Sequence, residues 1–460
     1  MFLGRLDELK KLNNLFMNNR FECVILHGRL RMGKTSLLRE FMKDKEKYCI
    51  YFSAEPTSDR ENLDALARAV RTFPRAPAGE LELKNYYEEV FERLNKLSRT
   101  ERVVMIIDEY QNLVHGNKGI SDFIARFIDS KLNTSQLMLI ICGSSEAVME
   151  SETLGYSAFH GRRTEQMQLR PFSFFETKRF YGGFSPFDIA VIYGITGGIP
   201  HYLNMMKSEL TVEENILRTF FDPMSELFEE PANFLRREVR DPAYYNAVLK
   251  AIASGCNKNS EISAAVGLET SACTAYLKNL ISFGLIGRHT PVTERAGKKT
   301  IYEFEDSMFH FWYRFVPANA SLIHSGMAHI IWRNIAAQIP SYMDKVFKDI
   351  CRQWVAWRNS SGSLPVQYAD VGRWWGYDPV ADTDSAIPIV AYCADDMDAL
   401  FGDAIWSDSP AEASALRSLE ERSRLFRYPN RHLYLFSRSG FTDECTELAV
   451  RLGANLVMFE

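Results

Sequence analysis

The chain has 460 residues, 54 Lys and Arg against 59 Asp and Glu, a formal charge of -5, and 46% hydrophobic residues. At roughly 150 residues per domain this allows about three domains with real cores; it excludes a uniformly basic nucleic-acid coat protein, and no run reaches the roughly 18 apolar residues of a membrane span. The charge is uneven, because residues 341–460 hold 12 basic and 18 acidic side chains and Lys348 is the last lysine. Residues 1–11 become charged before a signal-peptide core can form, so a cytoplasmic chain without membrane contact is expected. The eight cysteines never fall as CxxC, and buried reduced thiols are expected.

The first half reads as strands alternating with helices. Apolar runs at 22–28, 49–53, 103–107 and 137–142 are separated by segments of helical periodicity such as 80–97 and 120–130. That alternation predicts an α/β fold with a parallel sheet covered on both faces. The first run leads into Gly28-Arg29-Leu30-Arg31-Met32-Gly33-Lys34-Thr35, which satisfies GxxxxGK[ST] between a strand and a helix. Successive N–H groups and the helix N-terminus suit phosphate oxygens, Lys34 suits the β- and γ-phosphates of ATP or ADP, and the Thr35 hydroxyl suits Mg²⁺. Glycine at 28 and 33 permits backbone geometry that a side chain would obstruct.

The run at 103–107 delivers Asp108 and Glu109. Asp108 is placed to hold Mg²⁺, and Glu109 to polarise the water that attacks the γ-phosphate. The run at 137–142 ends in Gly143-Ser144-Ser145. Ser144 is the preferred γ-phosphate sensor, with Ser145 close behind; the alternative is a loop serine that caps a helix. Arg162 and Arg163 precede a strand at 166–169. They are either donors of positive charge to a neighbouring subunit's γ-phosphate in a homo-oligomer or members of a structural salt bridge.

From about 174 to 235 the pattern turns helical. Residues 243–305 read as three helices and a hairpin with a basic tip, a helix-turn-helix plus wing. Seven basic and five acidic residues in that span are few cations for a dedicated DNA reader. Two readings stand: DNA contact, with Lys298 and Lys299 on phosphates, or an intramolecular or protein-contact role. The tail reads as a helix at 342–357, strands at 387–393, 399–405 and 432–437, and helices at 410–425 and 441–452.

The order Phe2-Leu3-Gly4-Arg5 with Glu8-Leu9, the P-loop, Ile107-Asp108-Glu109, Cys142 to Ser145, Gly161 to Thr164, Leu169 to Ser173 and Gly197-Gly198-Ile199-Pro200 resembles the archaeal-type AAA+ ATPase family, relatives of the STAND signal-transduction ATPases. The resemblance implies that Gly4 and Arg5 lie near the adenine and that Pro200 belongs to a helical lid over it. It also implies a core at 1–172, a lid at 173–238, a winged helix at 239–320 and a C-terminal domain at 330–460. In that family the winged helix is followed by a domain resembling PD-(D/E)XK nucleases; residues 306–319 resemble its entry segment and residues 372–376 its aromatic turn. Aligned on an EIDIVA-like strand and a GECKW-like strand, Pro388 stands at the metal Asp, Asp403 at the Glu and Ile405 at the Lys. No lysine follows Lys348 to replace the last, so a retained fold without nuclease activity is expected. Asp382, Asp384, Asp395 and Asp396 are read as solvated turn acids that leave weak metal binding open.

The expected function is a Mg²⁺-dependent ATP-hydrolysing switch or motor. The alternative is an ATP- or ADP-locked DNA-binding or protein-binding regulator with little turnover.

Overall fold

The computed structural model describes residues 3–74, 86–151, 157–293, 299–395 and 397–459. Phe2, Lys298 and Asp396, singled out above, lie outside the described residues. The chain divides into two compact units, Met1–Phe172 with Ile199–His201, and Ser173–Gly198 with Tyr202–Glu460.

The first unit is built on five parallel strands, β1 (Glu22–His27), β2 (Cys49–Ser53), β3 (Val103–Asp108), β4 (Leu137–Gly143) and β5 (Glu165–Gln168). Their order is β2-β3-β4-β1-β5. β1, β3 and β4 are buried at every position, as continuous apolar strands covered on both faces should be. Helices Asp59–Arg71, Tyr86–Ser98 and Ile120–Ser130 cover one face, where Leu66, Phe91 and Ile124 pack in a single apolar cluster with Ile25, Met105 and Ile141. Insertion of β4 between β1 and β3 has a functional consequence. The register pairs His27 with Gly143 and Ile107 with Ile141, so three strand ends reach the same edge together. The crevice outside the carboxyl ends of parallel strands is where such folds bind ligands.

The second unit begins with helices, among them Pro186–Thr196, Val212–Phe220 and Glu226–Glu238. Helices Ala243–Ala253, Asn259–Val266 and Thr270–Ser282 follow, then an antiparallel hairpin of β6 (Ile286–His289) and β7 (Ile301–Phe304). Ser271, Lys278 and Asn279 on the third helix are exposed.

The hairpin packs on the C-terminal sheet. The N–H of Val292 donates to the carbonyl of Arg373 at 2.9 Å, and Trp375 Nε1 donates to the carbonyl of Lys299 at 2.9 Å. Glu303 of β7 is shared by Arg373 and by Lys345, whose Nζ lies 2.9 Å away. Burial alone would raise this carboxyl, but the two cations outweigh it and hold its pKa at about 2.

That C-terminal sheet holds β8 (Asp370–Asp378), β9 (Thr383–Tyr392), β10 (Asp398–Ile405), β11 (Asn430–Ser437) and β12 (Asn455–Met458), in the order β12-β11-β10-β9-β8. β8, β9 and β10 run antiparallel, whereas β10, β11 and β12 run parallel. Helices Ala413–Ser423 and Asp443–Leu452 pack on one face, and helix Ile339–Ser360 on the other. Residues 372–376 form part of β8 rather than the aromatic turn expected. Cross-strand pairing overrides the two glycines, and an irregularity between Gly372 and Trp374 turns the Trp374 ring into the core.

Gly402 pairs with Ile389, so Pro388 and Asp403 stand one residue further along on neighbouring strands. Arg422 donates through Nη2 to Asp403 Oδ2 at 2.7 Å and through Nη1 to the carbonyl of Ala386. Among the described residues, no three His, Cys, Asp or Glu side chains gather to hold a metal ion, and no helix is long and apolar enough to cross a membrane.

Candidate active site

The P-loop follows β1 directly. Its backbone is left-handed at Arg31 (φ 72°) and Gly33 (φ 82°), and Gly33 caps helix Lys34–Met42. At Gly28 (φ 150°) a Cβ would stand 2.5 Å from the carbonyl oxygen of Leu169, so the loop leaves the sheet too close to β5 for any side chain. Lys34 is 5% exposed, and its ammonium donates to the carbonyls of Gly28 at 2.6 Å and Arg29 at 2.9 Å. A buried cation held by loop carbonyls, at a helix N-terminus, is suited to exchange those partners for phosphate oxygens. His27, just before the loop, has its pKa lowered by burial and then by the Lys34 charge, so the ring is neutral at neutral pH.

Arg5 acts on the loop from outside. Its guanidinium stacks 4.5 Å from the Phe172 ring centroid and donates to the carbonyls of Met32, at 3.4 Å, and Arg170. A side chain on Gly4 would begin 2.7 Å from the same Phe172 ring. These contacts fasten the P-loop to the segment after β5. The Pro200 ring lies 3.9 Å from where a side chain on Gly33 would begin, beside the same loop, in which Leu30 is half-buried and Met32 buried.

β3 brings Asp108 to Thr35, whose Oγ1 donates to Asp108 Oδ2 at 3.0 Å. Two hard oxygen donors at a phosphate-binding loop fit Mg²⁺. The same Oδ2 accepts from the Tyr51 hydroxyl at 2.6 Å, and Oδ1 accepts from the Glu109 N–H at 2.9 Å. Burial, and then the hydrogen bond and charge of Asp108, push the Tyr51 phenol well above its usual pKa, so it remains a donor. Tyr51→Phe is therefore expected to cost about 1.5–3 kcal/mol, the worth of a hydrogen bond to a charged group. Denaturant titration checks this; unchanged stability would show that Asp108 does not depend on the phenol.

Glu109 has a left-handed backbone (φ 53°), unusual for a non-glycine residue and typical of functional turns. Its carboxylate accepts from Ser144 Oγ at 3.0 and 3.1 Å and from Gln111 Nε2. Gln111 Oε1 in turn accepts from the Ser144 N–H at 3.1 Å. The helix-capping role left open for this serine pair falls to Ser145, whose Oγ accepts from the Val148 N–H at 3.4 Å. Tyr51 and Gln111 are site residues that the sequence reading missed.

Arg162 and Arg163 stand at the other end of the sheet. Thr164 N–H donates to the carbonyl of Cys23 at 2.8 Å, at the start of β1, whereas the P-loop follows the end of that strand. Arg162 pairs with Asp129 through Nε at 2.8 Å and Nη2 at 2.6 Å. The structure therefore brings together Lys34, Thr35, Asp108, Glu109 and Ser144, but not the two arginines.

Comparison with known proteins accords with this geometry. Residues 2–206 match the family described as an ATPase domain predominantly from Archaea, and residues 312–417 match one described as archaeal and bacterial proteins of unknown function. An uncharacterized protein of Methanocaldococcus jannaschii is 30% identical over 419 residues, 89% of this chain and 88% of that relative. The chain belongs to the archaeal-type ATPase family. An uncharacterized ATP-binding protein of Pyrococcus abyssi shares 25% identity with this archaeal-type ATPase over 242 residues, 46% of this chain and 72% of that one. A Walker-type ATPase of Pyrococcus abyssi has the same fold, with a TM-score of 0.53 and 22% identity over 68% of this chain and 96% of that one.

Proposed function

We propose that this archaeal-type ATPase hydrolyses ATP with Mg²⁺ and uses the nucleotide state as a switch or motor input to the rest of the chain. The observation that carries the reading is the meeting of Lys34, Thr35, Asp108, Glu109 and Ser144 at the carboxyl ends of β1, β3 and β4. Mg²⁺, when bound, supplies charge neutralisation across the β- and γ-phosphates. Thr35 and Asp108 hold it, the P-loop N–H groups and Lys34 hold the phosphates, and Glu109 takes the proton of the attacking water while Ser144 orients the carboxylate. Arg5, Gly4 and Pro200 shape the nucleotide pocket by holding the loop. Arg162 or Arg163, at the far end of the sheet, would serve only a neighbouring subunit's nucleotide.

The reading divides the chain into a core (1–172), a lid (173–238), a winged helix (239–320) and a nuclease-like domain (330–460) without nuclease activity. Support for that last point comes from Asp403, whose carboxylate is occupied by Arg422, and from Pro388 and Ile405 at the other two positions. A second reading is a nucleotide-locked regulator with little turnover that contacts DNA or protein; the hairpin's attachment to β8 supports its protein-contact form over its DNA-bound form.

Phosphate release from ATP, together with solution mass measured with ADP and with a slowly hydrolysed ATP analogue, separates the two readings. Steady turnover that Lys34→Ala abolishes supports the enzyme, and nucleotide-dependent assembly supports a trans arginine. Turnover indifferent to Lys34→Ala would sink the assignment, and a constant monomer would remove the arginines from it.

A further inference from the structure

Within the second unit, a cavity of about 560 Å³ is walled by the hairpin module, β8 and helix Ile339–Ser360. The helix contributes Lys345, Lys348 and Arg352, spaced i, i+3 and i+7 and so on one face. Arg373 lies on β8, and Lys258 and Lys299 come from the hairpin module. Against these six cations the lining carries two acids, Asp349 and Asp384, in a segment of the chain that is otherwise acidic. Trp375 and Tyr377 share a face of β8, with the Arg373 guanidinium 5.1 Å from the Trp375 ring centroid. The Tyr377 side of the cleft is open, since that residue is 56% exposed.

Lys258, Lys345, Lys348, Arg352 and Arg373 each face a carboxylate, and those of Lys258, Lys348 and Arg352 are of an exchangeable kind. Lys348 pairs with Asp344 and Lys258 with Glu261, both acids more than two-fifths exposed, and such surface pairs contribute about 0–1 kcal/mol. Glu303 serves two cations at once. A phosphate entering the cleft can therefore take over Lys348 and Lys258 at small cost, whereas Lys345 and Arg373 keep the largely buried Glu303 and offer their remaining N–H groups. Lys345 to Arg352 covers about 10 Å of helix, longer than one phosphate and suited to successive ones.

We propose that this cleft binds a segment of single-stranded nucleic acid, with its phosphates along the cationic helix face and a base on Tyr377. A cationic track beside an aromatic ring is the arrangement that holds unpaired strands, because a base within a duplex offers no free face for stacking. Pro388 lines the same cleft, and Asp403, across from it on β10, is held by Arg422, so the strand is held and not cut.

Fluorescence anisotropy of the full chain with a labelled 15-nucleotide oligo(dT), at 50 and 200 mM KCl, tests this. Wild type should bind it more tightly than a duplex of the same length. Lys299→Ala with Lys348→Ala should weaken binding at least tenfold and reduce the slope of log K against log salt by about 1.4, at about 0.7 per phosphate contact. Tyr377→Ala, at an exposed position, should weaken binding about tenfold with an unchanged melting temperature, which keeps the test decisive if the double variant unfolds. Lys34→Ala should bind the oligonucleotide as wild type does, which separates this site from the P-loop. Absence of wild-type binding at 50 mM KCl, preference for the duplex, affinity unaffected by Tyr377→Ala, or loss of binding in Lys34→Ala would each overturn the proposal.

Discussion

Glu109→Gln is expected to lower ATP turnover by about 10²–10⁴-fold, the usual contribution of a positioned general base, while nucleotide affinity stays within about threefold. The substitution preserves shape, and an amide can still accept from Ser144 and, with reorientation, meet the Gln111 side chain. What it removes is the carboxylate's ability to take a proton from water. The phosphate-binding groups, Lys34 and the P-loop N–H groups, lie on a different strand end and are untouched. Phosphate release and equilibrium binding of a fluorescent nucleotide, measured on one preparation, read the two effects separately. A turnover loss below tenfold, or a parallel loss of affinity, would show that Glu109 holds structure and not the proton.

The largest stability effect is expected away from the phosphates. Arg102, 6% exposed and immediately before β3, donates to the carbonyls of Leu15 at 2.7 Å, Gln136 at 3.0 Å and Arg20. Leu15 is in the last turn of helix Leu6–Met17, where its carbonyl also accepts from the N–H of Asn18 at 3.3 Å. One guanidinium thus ties the end of the first helix to the starts of β1 and β4. Burial lowers its pKa to about 10, with partial compensation from the charge of Glu22, so it remains charged at neutral pH. Arg102→Ala leaves the carbonyls of Gln136 and Arg20 without this donor, Leu15 keeping the N–H of Asn18, and should cost about 2–6 kcal/mol, at roughly 1–3 for each group left unpaired. Arg102→Lys, a point charge without the planar fork, should fall between the two. Denaturation read on the transition that ATP shifts would check this, because a nucleotide stabilises the unit that binds it. A loss under 1 kcal/mol would mean that water satisfies these carbonyls.

The sheet of the first unit was legible because its central strands are buried on both faces and therefore read as unbroken apolar runs. Val103 to Ile107 and Leu137 to Cys142 contain no polar residue to confuse the period. β8 was not legible. Its glycines at 372 and 376 signal a turn, and its stability comes from pairing with β9 and from a bulge, neither of which leaves a local mark. In the site, the P-loop and the Asp108-Glu109 pair announce themselves by spacing, since their chemistry depends on consecutive backbone groups. Tyr51 acts through its hydroxyl and Gln111 through both atoms of its amide, in contacts that only the folded chain creates. The signals that might have found them are slight: a hydroxyl on the strand pairing with β3, and an amide two residues after Glu109.

The attachment of the β6–β7 hairpin to β8 also bears on how accessible that hairpin is to any other molecule. Freeing the hairpin breaks two backbone-directed hydrogen bonds and the cation pair around Glu303. At about 1 kcal/mol for each hydrogen bond and about 2 for the cation pair, the detached state would make up about one molecule in a thousand. A molecule that needs the detached hairpin would then bind about a thousandfold more weakly than its intrinsic affinity, until some other event has raised that minority.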